Sequence, residues 1–375
     1  MMASLRDSND NLNVFLISYG IYEYDGRLRE LIKVSKSLGK TKYITRSVSE
    51  NTEDKNHIIS GKGLLGYFKF ILYSVFIGLK MKKIDVLFID NRKAVIPAII
   101  IRAIKRPQNV IYDARELYLV NEMKSIIAKI GCIFEKKFIK AADIIICANN
   151  YRARIMKDYY KLNSYPLVYE NIRALEYTGK FKENDLRTKY SHYFKRPNIR
   201  IVSTSGCSIR RTNDRLVRAM IELRDGFELF LIGGGSNEDV CEIKKIINEN
   251  HLDNVYLIDK LEMDELKYFL QNCHIGVVNY HKKDTNNLYC ASGKVYEYLF
   301  EGLPIVTTEN IPLMDMCKVY KIGVFDDDYV EGIKEVAERY NYYVDNVKQY
   351  INSISIDKNN FELEKGIKLF IKNNV

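Results

Sequence analysis

The residues with the clearest chemical use lie over 292–306, in the order Ser-Gly-Lys-Val-Tyr-Glu-Tyr-Leu-Phe-Glu-Gly-Leu-Pro-Ile-Val. Ser292 and Gly293 make a small polar loop ahead of a helical run over 294–301, in which Val295, Leu299 and Phe300 form an inward apolar stripe. Gly302 is placed to end that helix in the left-handed conformation, and Pro304 stops it continuing into a buried strand over 305–308. A loop with unpaired backbone N–H groups at a helix N-terminus attracts an anion, because free donors and the helix dipole both favour negative charge. Ser292, Gly293 and Lys294 are therefore candidate phosphate contacts. Glu297, about one turn into the helix, is placed to accept hydrogen bonds from a sugar hydroxyl beyond the phosphates. Amides facing phosphate and a carboxylate facing a hydroxyl describe a nucleotide-sugar site.

A second cluster is Asp113, Arg115 and Glu116, directly after the apolar run 109–112. Charged groups at the carboxyl end of a parallel strand stand where open α/β sheets bind ligands. A carboxylate there could take an acceptor proton or steady positive charge on a sugar. Asp113 could equally cap the next helix or pair with Arg115. Glycines 233–235 follow the apolar run 227–232, and Gly233 and Gly235 would let backbone approach a ligand closely. His281 could contact phosphate or simply be solvated. Asp326, Asp327 and Asp328 invite a metal, but three adjacent carboxylates suit a solvated turn, and no metal is expected.

These groups need a scaffold, and the hydropathy pattern supplies an alternation of strands and helices. Apolar strand runs over 13–18, 42–45, 85–89, 109–112 and 143–148 alternate with helical periods over 27–38, 64–79, 94–104, 120–141 and 149–160. The polar run 180–198, with Pro197, reads as an inter-domain connection. The pattern then restarts with strands over 199–204, 227–232, 255–258, 275–280, 305–308 and 322–328, a helix over 263–271 and a last helix over 361–371. The fold class predicted is α/β with two Rossmann-like domains. The first spans 1–175 plus a C-terminal helix from about 358, and the second 176–357. With 375 residues the chain is long enough for two cores.

Composition narrows the partners. Between 61 and 106 there are ten Lys or Arg against two Asp, a balance of 10 − 2 = +8 out of a net +10. Nucleic acid, an anionic membrane surface or a phosphorylated acceptor could each account for this. The stretch 64–79 is the most apolar of the chain, yet it is interrupted by Lys69 and is shorter than the roughly 20 residues of a spanning helix. It reads either as a helix packed on the sheet or as one lying on a membrane. The packed form is preferred because a strand follows at once. Seven scattered cysteines with no C-x-x-C pair argue for a reducing cytosolic compartment, and the polar start shows no signal-peptide core.

The run 292–306 resembles the donor-site signature of GT-B glycosyltransferases, especially those similar to family 4, in which a Glu a few residues before Gly-x-Pro binds the nucleotide ribose. That resemblance assigns the role to Glu297. Relatives often carry an earlier Glu, with seven residues between the two, and here Tyr289 holds that position, so the donor-sugar contact is unassigned. The segment 112–118 resembles a Tyr-Asp-x-x-Glu-Leu-Tyr stretch of the same family, which makes Asp113 and Glu116 catalytic candidates. The resemblance further implies a catalytic Arg210, or Arg211, in a strand–Gly206 loop that neutralises the diphosphate. An exposed Arg pair would look the same in sequence. Gly26 would belong to the loop facing the catalytic cleft, or to a tight turn. Overall the resemblance implies two facing Rossmann-like domains, with the C-terminal helix packing back on the first.

The function implied is a hexosyltransferase-type enzyme moving a sugar from a UDP- or GDP-sugar co-substrate to a hydroxyl of a glycan or lipid-linked acceptor, with retention, in bacterial surface polysaccharide synthesis. Its place would be the cytoplasm, peripheral at the inner face of the membrane. A nucleotide-sugar epimerase of the same fold is the alternative, against which five unpaired His weigh. A non-enzymatic binder acting through 61–106 is a third reading, although no nucleic-acid module is recognisable and none is expected as a partner.

Overall fold

The computed structural model describes residues 12–47, 57–58 and 63–373. The polar start, residues 48–56 and the first two residues of the basic stretch lie outside these. The chain divides into two compact units, one of Met1–Asn171 with Ile356–Val375 and the other of Ile172–Ser355.

Unit 1 runs β1 (Asn13–Ile21), α1 (Gly26–Leu38), β2 (Lys40–Arg46), β3 (His57–Ile58), α2 (Gly63–Lys80), β4 (Val86–Asp90), α3 (Val95–Lys105), β5 (Asn109–Ala114), α4 (Ile126–Ile139), β6 (Ile144–Cys147), α5 (Asn150–Tyr160) and β7 (Leu167–Val168). The seven strands form one parallel sheet in the order β3-β2-β1-β4-β5-β6-β7. A parallel sheet is covered on both faces, so its central strands are largely apolar, and every residue of β4 and β5 is buried. Phe15, Ile17, Leu87 and Ile89 meet α2 to α5 on one face. Val14, Leu16, Val86 and Phe88 meet α1 and the C-terminal helix (Ile356–Asn373) on the other. That last helix is tied down by polar contacts: Tyr169 Oη donates to Asn360 Oδ1 at 2.6 Å, and Asn360 Nδ2 donates to Glu30 Oε2 at 2.7 Å.

The predicted helix over 120–141 is two pieces. A single 3-10 turn at Val120–Glu122 precedes α4, which starts only where Ser125 Oγ accepts from the Ala128 N–H at 3.1 Å. The α2 helix is packed on the sheet, as preferred from sequence. Its inward line is Gly66, Phe70, Ser74 and Gly78. A Cβ on Gly78 would stand 3.0 Å from Phe15 and Ile101, so the missing side chain sets how closely the helix lies.

Unit 2 runs α6 (Glu183–Tyr190), β8 (Ile199–Ser203), α7 (Asn213–Ala219), β9 (Phe227–Ile232), α8 (Asn237–Glu249), β10 (Val255–Ile258), α9 (Met263–Gln271), β11 (Ile275–Val278), α10 (Thr285–Leu288), α11 (Gly293–Phe300), β12 (Ile305–Thr307), α12 (Ile311–Tyr320), β13 (Gly323–Phe325), α13 (Tyr329–Glu338) and α14 (Tyr340–Ser353). Its six parallel strands are ordered β10-β9-β8-β11-β12-β13. Gly302 has φ +80°, the left-handed turn expected after α11.

The run 180–198 is not a connection. It holds α6, whose Leu186 and Tyr190 are buried in the unit 2 core, with Tyr190 Oη donating to Glu265 Oε1 at 2.7 Å. Charge along an amphipathic helix resembled a solvated linker in sequence. The units part instead at Asn171/Ile172, four residues before the expected boundary.

One buried ion pair joins three parts of unit 1. Arg27 of α1 grips Asp113 of β5 through two bonds, Nε to Oδ2 at 2.8 Å and Nη2 to Oδ1 at 2.7 Å. Its Nη1 donates to the Tyr169 carbonyl and to Asn171 Oδ1, each at 2.7 Å. Removing one partner strands the other charge in the core. Arg27→Met is expected to lower unit 1 stability by roughly 3–5 kcal/mol in urea unfolding. The double variant Arg27→Met/Asp113→Leu should recover a large part of the loss, and the lack of any recovery would show that the pair is not the source of it.

Candidate functional site

In unit 2 the strand order reverses between β8 and β11, so the loops leaving these two strands part in opposite directions and open a crevice at the carboxyl edge of the sheet. Asn213 braces its two sides. Its Nδ2 donates to Ser205 Oγ at 3.0 Å, and Asn279 Nδ2 donates to Asn213 Oδ1 at 2.7 Å.

The expected glycines meet one another. Gly206 adopts φ +61°, and a Cβ there would lie 2.1 Å from the Gly234 carbonyl oxygen. Gly233, at φ +112°, lies against Gly206, and a Cβ on Gly235 would stand 3.2 Å from Cys207 Cβ. The three glycines lock the loop after β8 to the loop after β9. That shapes the crevice wall, a different use from the ligand approach predicted for Gly233 and Gly235.

Helix α11 is positioned from its buried side. Tyr298 covers Gly276 of β11, where a Cβ would be 2.4 Å from the ring, and Tyr298 Oη accepts from the Thr204 N–H at 2.9 Å. This fixes the helix N-terminus beside the loop after β8. Ser292 is the N-cap residue, but its side chain makes no capping bond, and its buried Oγ has no partner among the described residues. Lys294, next in line, is half-buried. Burial pulls its ammonium down to about 8, only partly opposed by Glu297, while Arg211 and Arg173 push it lower still. Glu297 is buried and paired with Arg173, Nη2 to Oε1 at 2.7 Å.

Arg173 was not foreseen. It lies across the helix start, with its Cζ 2.5 Å from where a Gly293 Cβ would be, so only glycine at 293 admits it. Its Nε is buried without a partner among the described residues, as is Nη1 of Arg211. Arg211 itself stacks on Tyr280, 3.8 Å from guanidinium carbon to ring centre. Nothing in the spacing links position 173 to position 297. Three cations and one carboxylate therefore gather at a helix N-terminus, with three buried polar groups that have no partner among the described residues. This arrangement accepts a polyanion.

Of the two arginines, the geometry favours Arg211 over the preferred Arg210. The Arg210 side chain is 76% exposed, with Nη2 at 4.0 Å from Asp284 and Nε at 3.4 Å from His281 Nε2. Among the acidic trio, Asp327 pairs with Lys282 and Asp328 caps α13, accepting from the Val330 N–H at 2.9 Å.

In unit 1 the expected residues separate. Asp113 is wholly buried and committed to Arg27, so it serves structure and cannot reach an acceptor proton as it stands. Arg115 pairs instead with Asp90, at 2.7 Å, and Asp25, at 2.6 Å, and Ser18 Oγ donates to Asp90 at 2.5 Å. Burial, with help from Asp113 and Asp25 against the pull of Arg115, raises the Asp90 carboxyl to about 6. Glu116 remains accessible at 36%, loosely paired with Arg152 at 3.7 Å. Gly26 is the first residue of α1, behind its cap Asp25.

Two parallel Rossmann-like sheets, a nucleotide-type crevice at the switch point of the second, and a final helix built into the first unit define the GT-B architecture. Among solved structures the chain is similar to sucrose-phosphate synthase from Thermosynechococcus elongatus, with a TM-score of 0.72 and 14% identity over 97% of this chain and 100% of that one. It is similar to Anabaena HepE in complex with UDP and glucose, TM-score 0.72 and 12% identity over 96% and 100%. It also resembles WaaG, a glycosyltransferase involved in lipopolysaccharide biosynthesis, at TM-score 0.65 and 11% identity over 94% and 98%. No family model and no curated protein sequence matches the chain.

The glycine lock gives a direct test. Gly206→Ala forces an L side chain into a left-handed backbone and against the Gly234 carbonyl. A loss of about 2 kcal/mol should appear as a thermal midpoint lower by about 4–8 °C. Gly179→Ala, also at positive φ but with open space around it, should cost less.

Proposed function

We propose that the chain is a glycosyltransferase that binds a nucleoside diphosphate sugar on unit 2. The observation that carries this reading is the uncompensated positive charge at the start of α11, where Lys294, Arg211 and Arg173 face the single carboxylate Glu297 and the buried Ser292 Oγ, Arg173 Nε and Arg211 Nη1 lack partners among the described residues. The diphosphate would take the α11 amides, Ser292 Oγ, Lys294 and Arg211. Glu297, oriented by Arg173, would accept the ribose hydroxyls. In the reaction the bond from the anomeric carbon to the diphosphate oxygen breaks, an acceptor oxygen bonds to that carbon, and the acceptor proton leaves to a base. The same cations stabilise the charge that grows on the departing diphosphate.

Finer features extend the reading. Similarity to HepE with UDP and UDP-glucose favours a uridine nucleotide, and similarity to WaaG favours a glycan or lipid-linked acceptor in surface polysaccharide synthesis. Retention of configuration follows from the family-4 resemblance. Glu116 is the accessible unit 1 carboxylate proposed to meet the acceptor. Seven free thiols suit a cytoplasmic setting.

Calorimetric or thermal-shift titration with UDP, GDP, CMP and their sugars tests the donor site. One diphosphate at about 100 times its dissociation constant should stabilise the protein by roughly 2.7 kcal/mol. Lys294→Met and Glu297→Ala should each reduce that gain. The pH dependence has a definite sign. A diphosphate keeps Lys294 charged, whereas the free ammonium loses its proton near about 8. Binding must then take up a proton at higher pH, so affinity stays level below that point and falls above it, by up to about tenfold per pH unit. Lys294→Met should abolish the slope. No response to any nucleotide would overturn the assignment.

A further inference from the structure

Unit 1 has a surface that donor chemistry does not use. Of twenty-four large apolar side chains left exposed among the described residues, six lie on α2, four on α3 and five on α4. These three helices cover the same face of the sheet, and α3 touches both of the others. The most open residues are Leu65 and Ile127 at 84%, Leu64 at 77%, Ile126 at 76%, Leu72 at 70% and Phe68 at 60%. Exposed apolar patches of this extent mark interaction sites.

Charge identifies the occupant. From Gly63 to Arg106 the acidic residues are Asp85 and Asp90, both buried, and the one carboxylate of α4, Glu135, is buried as well. Lys69, Lys80, Lys82, Arg106, Lys129 and Lys137 are exposed on or beside these helices. The face is thus apolar, and every exposed charge on α2, α3 and α4 themselves is basic. A second copy of the chain would set those charges against themselves in a two-fold interface. An anionic bilayer matches both parts, with acyl chains for Leu, Ile and Phe and headgroups for Lys and Arg. Helix α2 is long and apolar enough to span a membrane by composition, with mean hydropathy 1.4 over 18 residues. Its Gly66–Phe70–Ser74–Gly78 line is spent on the sheet, however, so it can lie on a bilayer without leaving the fold.

We propose that the α2–α3–α4 face of unit 1 seats the protein on an anionic lipid bilayer, with Leu64, Leu65, Phe68, Ile126 and Ile127 entering the acyl boundary. The inference rests on unit 1 alone and stands apart from the donor assignment.

Flotation of the full chain with vesicles tests it. Wild type should float with phosphatidylcholine vesicles containing phosphatidylglycerol and bind pure phosphatidylcholine far more weakly. Leu65→Asp/Ile127→Asp should stay behind in both cases, while keeping the wild-type thermal midpoint and nucleotide response, since both positions are exposed. Lys80→Glu/Lys82→Glu should weaken binding by about fivefold or more for each position. Three outcomes would overturn the proposal: wild type that ignores anionic vesicles, an Asp double variant that floats like wild type, or a light-scattering dimer that Leu65→Asp splits and that does not bind vesicles.

Discussion

A half-buried cation with no anion of its own is the constraint around which unit 2 is arranged. The Lys294 head is directed to the Thr204 carbonyl, and two guanidinium groups contribute further positive potential. Glu297 answers only one of the three charges, and it is already held by Arg173. Burying net charge is tolerated where a ligand supplies the remainder. The parallel sheet explains why this occurs at one edge. Every crossover delivers its loop and the next helix N-terminus to the carboxyl end of the strands, so unpaired amides gather there. Tyr298 on Gly276, and the glycine contact between the loops after β8 and β9, hold those amides in place.

Unit 1 carries buried charges of similar number but opposite accounting. Arg27 is matched by Asp113, and Arg115 by Asp90 and Asp25. Nothing there requires an anion, and burial, with Asp113 and Asp25 helping against the pull of Arg115, raises Asp90 to about 6. Asp90 ends β4, level with Ser18 of β1 and Asp113 of β5. Two sheets of the same design thus differ in their charge balance.

The strand–helix alternation was legible in the sequence because central parallel strands are largely apolar, and the helix–Gly302–Pro304–strand joint was legible because glycine and proline act locally. Other features depend on contacts distant in sequence. Arg173 meets Glu297 across more than a hundred residues, and Arg27 meets Asp113 across 86. Asp113 therefore looked like a cleft carboxylate, since position along a strand does not reveal whether a guanidinium from another helix has claimed it. The α6 segment misled for a related reason. Two buried residues, Leu186 and Tyr190, among many charged ones are too few for a periodic signal, yet they are what attaches the helix.

Helix α2 shows why packed and membrane-facing readings compete in a sequence and need not compete in the molecule. A helix has room for two faces. In α2 the sheet-facing one is built from Gly66, Ser74 and Gly78 around a single Phe70, so the close approach of backbones, and not bulk, supplies the contact. The larger side chains are thereby released to the outside. Apolar content along the chain measures the sum of the two faces and is silent on their partition. Small residues at a four-residue spacing are the part of the pattern that carries that information. They place the smallest groups against the sheet and the most apolar ones outward, a distribution that water alone would not favour.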